Sequence, residues 1–312
     1  MAALAAGKRA RTRRGSVLAR RRNVYFYLFI APWLLGFIIF RAGPLLAAAW
    51  LSFVKWEIVT PPVFVGFANW TTMPRDPLFW QSLKVTSIYT FAVVPLSVVL
   101  GFLLAFLMNQ NVKGVTVFRT IYYLPSVTSG VAVAMLWIWI FNPEFGLLNY
   151  FLDMIGIKGP AWLFDPEWVI PAFIIMSLWG LGGTTIIYLA GLQGIPTQLY
   201  EAAEIDGADG WQRLLNITVP MMTPIVFFNL VMNVIGTFQV FTSAFVMTQG
   251  GPRNASLFYV LYLFRNAFQY FEMGYAASLA WVLFAIIGFF TLIIFRTSDR
   301  WVYYEGSVKG IL

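Results

Sequence analysis

Residues 196–220 read PTQLYEAAEIDGADGWQRLLNITVP, a polar and acidic stretch set between two long apolar runs. It predicts two short helices joined by a glycine hinge. Thr197 is placed to cap the first helix, and Gln198 to Asp206 is rich in good helix formers. Gly207 ends that helix, because a residue there most easily takes the left-handed conformation that closes a helix and, lacking a side chain, lets the turn approach a partner. Asp209 and Gln212 have capping-box spacing, with Asp in place of Ser or Thr, and Trp211, Leu214 and Leu215 form an apolar stripe on the second helix. Pro220 opens the next apolar run. A first helix of about nine residues is marginal alone in water and needs a surface to dock on. Glu201, Glu204, Asp206 and Asp209 beside Leu199, Ala202 and Ala203 suit a groove of basic and apolar groups on another protein; a solvated acidic loop between membrane spans is the competing explanation from composition alone.

Glu201-Ala202-Ala203, three residues, Gly207, nine residues and Ile217-x-Val219-Pro220 resembles the EAA loop of ABC-importer permeases with its spacing intact; the one departure is Val219, where the family usually has Leu. The resemblance implies that the loop is a coupling helix entering a cleft in a separate ATPase subunit, that Glu201 pairs with a basic group there and that Gly207 sets the turn, with Ala202, Ala203, Asp206, Ile217 and Pro220 in the same coupling segment. It extends further. Residues 83–296 resemble the five-helix core of type I importer permeases, to which sugar-type members commonly add a first span. Tyr122-Tyr123-Leu124-Pro125, the run Trp137 to Pro143 with Gly146 and Asn149, and Gly250-Gly251-Pro252 resemble the maltose-type, glycerol-phosphate-type and multiple-sugar permeases, as the first member of a non-identical pair. The implied partners are a second permease, two ATPase subunits that use ATP and Mg, and an extracytoplasmic solute-binding protein, for a sugar or related polyol. This chain itself would bind no cofactor.

Composition agrees with an all-α polytopic membrane protein. With 60% hydrophobic and 11% charged residues, the 312-residue chain is not an ordinary soluble domain, and it has room for about six spans with short loops. It contains no cysteine and no histidine, which removes disulfides, thiolate metal sites, Cys nucleophiles and His bases; no catalytic or metal site is expected. The net charge of +8 comes from eight Lys and Arg in the first 22 residues, where no acid occurs. It reads as a signal for cytoplasmic retention and anionic headgroups, not for nucleic acid. A signal peptide is the alternative for this region, but the apolar run from Tyr25 to Phe40 is long for one and Ala47-Ala48-Ala49 comes late, so an uncleaved first span is preferred.

Spans are expected near 24–50, 83–109, 118–141, 168–194, 221–247 and 274–296, giving a basic tail at 1–23, a first helix and outer loop at 24–82, the core at 83–296 and a C-terminal tail at 297–312. Leu147–Ile155 is an amphipathic segment too short to cross, and Leu257–Phe264 reads as a short interfacial or re-entrant helix. With the N-terminus inside, Lys and Arg count fourteen on the cytoplasmic side against seven outside, a bias the tail decides almost alone. Both termini and the 196–220 loop then face the cytoplasm of a bacterial inner membrane.

The stretches 85–112, 120–143, 168–200, 214–252 and 273–295 contain no Asp, Glu, Lys, Arg or His. A proton-coupled carrier normally needs one in its path, whereas an ATP-driven machine receives its work through the loop. No G-x-x-x-x-G-K-[ST] phosphate loop occurs, so hydrolysis belongs to a partner. For the solute, Asn229 and Asn233 lie one turn apart with Gln239 further along, and uncharged amides suit a polyol's hydroxyls. Trp137, Trp179 and Tyr188 are the aromatic candidates for a sugar's C–H face, although amides in spans often join helices and aromatics often pack or belt the interface. Two other functions remain open on sequence: an ATP-independent carrier or facilitator, and a membrane scaffold or sensor without flux.

Overall fold

The computed structural model describes the backbone of residues 2–110 and 112–303, and side chains from residue 20 onward within those ranges. Lys309 and the tail from 304 lie outside the described residues, as do the side chains of the basic cluster before residue 20. Among the described residues, four helical stretches are long and apolar enough to cross a bilayer: Arg20–Leu51, Pro77–Met108, Gly210–Met247 and Met273–Trp301. Two bent pairs, Val115–Val127 with Gly130–Ile140 at 103° and Val169–Trp179 with Gly182–Gln193 at 43°, bring the count to six when each pair is one crossing. Each expected span falls on one of these stretches or pairs, but 118–141, 168–194 and 221–247 are each interrupted, the last at 238–241, and the final helix continues past 296 to Trp301.

The first crossing joins α1 (Ala2–Phe37) and α2 (Gly43–Leu51) through a π turn at Ile38–Ala42. A long loop follows, the one expected on the outer side. It holds a two-residue antiparallel ladder, β1 (Val54–Lys55) and β2 (Val63–Phe64), pairing Val54 with Phe64 and Lys55 with Val63, and the short α3 (Ala68–Thr72). The Asn69 amide nitrogen donates to the carbonyls of Ser52 and Val54 at 2.9 and 3.0 Å, which closes this loop on itself, and the Met273 amide donates to the Trp56 carbonyl at 3.0 Å, which ties it to the start of the last helix. There Gly274 approaches the Val54 carbonyl so closely that a Cβ would lie 1.7 Å from it.

The central element is α4 (Pro77–Met108). Asp76 caps it by accepting the Leu78 amide at 2.9 Å, with Pro77 in the first turn, where its missing N–H is not needed. Ser82, Val85, Tyr89, Val93, Ser97, Gly101, Ala105 and Met108 recur every three to four residues on its buried side. Next come α5 (Val115–Val127) and α6 (Gly130–Ile140), then α7 (Leu147–Met154), which matches the expected non-crossing segment. Its buried Asn149 donates to the carbonyls of Pro143 and Pro160 and accepts the Trp162 indole N–H at 2.7 Å, closing the 142–167 loop on itself. Then α8 (Val169–Trp179) and α9 (Gly182–Gln193) pack on α4.

Past the 196–220 loop, with α10 (Thr197–Ile205) and α11 (Gly210–Arg213), come α12 (Val219–Thr237), α13 (Thr242–Met247), α14 (Tyr259–Phe264) and α15 (Met273–Trp301). The expected short helix near 257–264 is α14. It lies buried between α4 and α15, where the Tyr259 amide donates to Thr86 Oγ1 at 2.8 Å and the Tyr259 hydroxyl to the Leu279 carbonyl at 2.9 Å. Asp76 also accepts from the hydroxyls of Tyr262 and Tyr275, so one carboxylate joins α4, α14 and α15. Two apolar clusters result. The larger lies among α4, α8, α12, α14 and α15; the smaller, built on Tyr188, Leu192, Ile195 and Met222, lies at the end carrying the 196–220 loop.

Candidate functional site

The 196–220 loop folds as a helix, a turn and the base of a span. Thr197 is the first helical residue of α10 and not its cap; Pro196 occupies the cap position, and no side chain bonds there. At the other end Gly207 takes φ +80°, and the amides of Gly207 and Ala208 return to the carbonyls of Glu204 at 3.1 Å and Ala203 at 2.8 Å. This is the Schellman closure, which needs a left-handed residue at that place. Asp209 then caps α11: its carboxylate accepts the Gln212 amide at 2.7 Å, and Gln212 Oε1 accepts the Asp209 amide at 2.9 Å. The second helix does not stop within the loop. It passes through a π turn at Leu214–Thr218 directly into α12. Pro220 accounts for the π turn, since its ring crowds the carbonyl of Asn216 and it has no amide to offer, and one widened turn absorbs both.

The loop is anchored on one side and bare on the other. Tyr200 and Ile217 pack on the small core of Leu192, Ile195 and Met222. The Tyr200 hydroxyl lies 2.9 Å from Thr218 Oγ1, and Glu204 faces Arg213 at 3.5 Å. Glu201, Ala202, Asp206 and Gly207 are exposed, Ala203, Ile217 and Pro220 are half-buried, and no residue of α10 is buried. Ile205 is 87% exposed and Trp211 66%, so two large apolar side chains flank the acidic face with none of the other described residues over them.

At the far end of the same helices three chain breaks meet. They fall between α5 and α6 at Thr128–Ser129, between α8 and α9 at Gly180–Leu181, and between α12 and α13 at residues 238–241. Together they line a cavity of about 400 Å³, to which the first contributes Ser126, Thr128 and Gly130, the second Ser177, Trp179 and Gly180, and the third Val240, Thr242 and Ser243. Non-helical backbone among spans is tolerated where it is buried in protein or faces a water-filled space, so three coincident breaks around one cavity make it the candidate solute site. The hydroxyls of Ser126, Thr128 and Ser177 donate to carbonyls of their own helices at 2.7 to 3.0 Å, which leaves their oxygens free to accept. No lining residue carries a charge.

The residues expected at a solute site divide between two places. Trp179 lines the cavity, 40% exposed, and Gln239 is exposed at the third break beside Val240. Trp137 is buried behind Trp179, edge-on with ring centres 6.0 Å apart, and its indole N–H has no partner. Asn229, Asn233 and Tyr188 lie elsewhere. The amide nitrogens of both asparagines donate back along α12, Asn229 to Ile225 at 3.0 Å and Asn233 to Asn229 at 2.8 Å. Tyr188 is fully buried against Gly101 and Phe102 on α4, with no face toward the cavity. Amide and aromatic chemistry singled these three out, whereas packing between helices placed them. The lining hydroxyls and glycines were missed, and their signal was local: Thr128-Ser129-Gly130, Gly180-Leu181-Gly182-Gly183 and Thr242-Ser243 each interrupt an apolar run.

Comparison with known proteins gives the arrangement a family. Residues 97–303 match the family described as the binding-protein-dependent transport system inner membrane component. The probable ABC transporter permease protein YesP of Bacillus subtilis (strain 168) is 43% identical over 293 residues, covering 92% of this chain and 94% of that protein. The lactose transport system permease protein LacF of Rhizobium radiobacter is 34% identical, covering 87% and 93%. A crystal structure of a bacterial alginate ABC transporter in complex with alginate pentasaccharide-bound periplasmic protein contains a chain that superposes with a TM-score of 0.79 at 25% identity, over 90% of this chain and 96% of that one. The chain belongs to the inner membrane components of binding-protein-dependent transport systems and is a permease subunit of an ABC importer.

Proposed function

We propose that this permease carries a neutral sugar or related polyol across the bacterial inner membrane together with a second, non-identical permease, and that the 196–220 loop is where two ATPase subunits deliver the work. The observation that carries this reading is the loop itself. It is closed at both turns by its own backbone and caps, yet it leaves Glu201, Ile205 and Trp211 uncovered. A segment that completes its own hydrogen bonds and still exposes large apolar groups is built to be covered by something else. In this reading both termini and the loop face the cytoplasm, Glu201 pairs with a basic group in the ATPase cleft, Ala202 and Ala203 allow close approach, and Asp206 and Gly207 set the turn. ATP and its Mg bind the ATPase subunits and not this chain, which lacks a phosphate loop.

The cavity supports the solute class proposed. Hydroxyl oxygens and exposed backbone around Trp179 offer hydrogen bonds and one aromatic face, and this chain contributes no cation that would favour an anionic substrate. The lactose permease and the alginate transporter that this chain resembles are carbohydrate systems, the latter crystallised with an alginate pentasaccharide-bound periplasmic protein; alginate is an acidic polysaccharide, so these likenesses support a carbohydrate, and the preference for a neutral one rests on the uncharged lining alone.

The deciding experiment is Glu201→Ala in the assembled transporter. Truncating one partner of a buried interfacial ion pair typically weakens an interface by about 2–5 kcal/mol, or roughly 30-fold at the low end. The variant is expected to lose ATPase subunits on purification while the two permeases stay together. Wild-type retention of the ATPase subunits would remove Glu201 from the interface.

A further inference from the structure

We infer that Tyr200 is a positioning residue that fastens the coupling helix α10 to the base of α12, so that α10 and α12 move as one body when the loop is pushed. The inference rests on the coupling role proposed above and adds the route by which the push reaches the cavity. Covalently, α10 follows α9 after only Gly194, Ile195 and Pro196, so its motion is handed to α9 by chain connectivity. Nothing comparable joins it to α12, because the chain first leaves through Gly207 at φ +80°, a turn with open space around it. Contact must supply the second link.

Three contacts meet at that point. Thr218 is 4% exposed, and its hydroxyl oxygen lies 2.9 Å from the Tyr200 hydroxyl. Thr218 Oγ1 also reaches the carbonyl of Arg213 at 3.4 Å. With its proton directed there, its lone pairs receive the Tyr200 O–H. That carbonyl belongs to the widened turn that Pro220 imposes, so the tyrosine bonds to the one place where α12 is not a regular helix. Arg213 in turn faces Glu204 on α10 at 3.5 Å; this pair is largely exposed and serves orientation more than strength. Ile217 packs in the same cluster as the Tyr200 ring. Deeper in, α9 and α12 are already close, for a Cβ on Gly191 would lie 2.0 Å from Ile225 Cδ1. From this clamp α12 runs 19 residues, roughly 28 Å at 1.5 Å per residue, to the break beside Gln239 and Val240. A displacement of α10 is thereby applied to both helices whose far ends open onto the cavity.

The chain contains no cysteine, so Gln198→Cys on α10 and Met232→Cys on α12 provide a unique spin-label pair on exposed positions. The span from Thr218 to residue 232 alone is about 21 Å, within reach of pulsed dipolar spectroscopy. The measurement is made on the assembled transporter, nucleotide-free and trapped with ATP and vanadate. With Tyr200 intact the distance is expected to agree between the two states within about 1 Å. Tyr200→Phe and Thr218→Val each keep ring or branch packing but remove the shared bond, and each should shift or split the trapped-state distance by more than about 2 Å, the scale of a helix displacement. The double variant should go no further than either single one, as expected for partners in one bond. A wild-type distance that changes between states, or single variants that retain the wild-type distance with ATPase subunits bound, would overturn the clamp alone. Failure of the wild-type chain to retain ATPase subunits would overturn the coupling reading and the clamp with it.

Discussion

The two ends of α9 and α12 are built by opposite means. At the loop end every change of direction is set by neighbours in sequence: Ala203, Glu204, Gly207 and Ala208 close α10, and Asp209 with Gln212 opens α11. At the cavity end the breaks at 128–129, 180–181 and 238–241 are held by distant partners, with α13 packed on α6 and the start of α9 pressed against the backbone of α5. The difference suits the two tasks proposed above. If another subunit grips the loop, it must keep its shape under load without help from the body it moves. If the cavity opens and closes, it must take its shape from neighbours, so that moving them changes it.

The sharpest test of this contrast is Gly182→Ala at the cavity end. An added Cβ would sit 2.0 Å from the Tyr122 carbonyl oxygen, 2.8 Å from its carbon and 2.9 Å from Tyr123 Cα, all backbone atoms that no rotamer change can withdraw. α5 and α9 would have to separate, and overpacking of this kind costs about 1–3 kcal/mol or more. The expected result is a clear fall in thermal midpoint of the purified assembly and loss of solute uptake. Gly191→Ala is the internal control. Its Cβ also approaches to 2.0 Å, but the atom met is Ile225 Cδ1, the free end of a flexible side chain, and the cost should stay below about 1 kcal/mol. Equal effects at the two glycines would mean that the cavity break is not held by backbone contact.

The same contrast explains what could be read from the amino-acid order. The loop was legible almost residue by residue, because a capping pair and a left-handed glycine act over three to five positions and leave a direct trace. Thr197 is the exception: Pro196 already supplies a suitable entry to α10, so the threonine was absorbed into the first turn. The long spans were legible as apolar runs. Their breaks were not, because hydropathy averaged over about twenty residues passes over Ser129-Gly130 or Gly180 without a signal. Nor was the difference between Trp179 and Tyr188, two aromatics nine residues apart, of which one meets the cavity and the other fills the contact at Gly101. Only the neighbouring helices decide that.

At the loop end, Gly207→Ala tests local closure. Nothing lies within 4 Å of the added Cβ, so the whole effect is the conformation: φ +80° is unfavourable for an L side chain by about 1–2 kcal/mol. Thermal stability of the membrane body is expected to change little, since the loop buries none of α10. If the loop couples as proposed, retention of ATPase subunits should fall, because the turn they would meet is populated less. A large drop in global stability would show that the loop is tied into the core more tightly than its contacts indicate.

The smallest effect belongs to Asp209, whose carboxylate does nothing but hold the Gln212 amide at 2.7 Å on an exposed turn. Asp209→Ala removes one cap, worth about 1 kcal/mol, which corresponds to roughly fivefold faster hydrogen exchange at that amide. Asp209→Ser restores a capping oxygen and should restore protection. The effect should end there, because α11 runs without a break through the π turn into α12, and the bilayer-spanning part of that helix does not need a cap at its first residue to stay folded. If exchange also rose at Thr218 or Met222, the base of α12 would depend on the loop for its stability, and the separation between a self-closing handle and a mutually supported cavity would fail at the point where the two join.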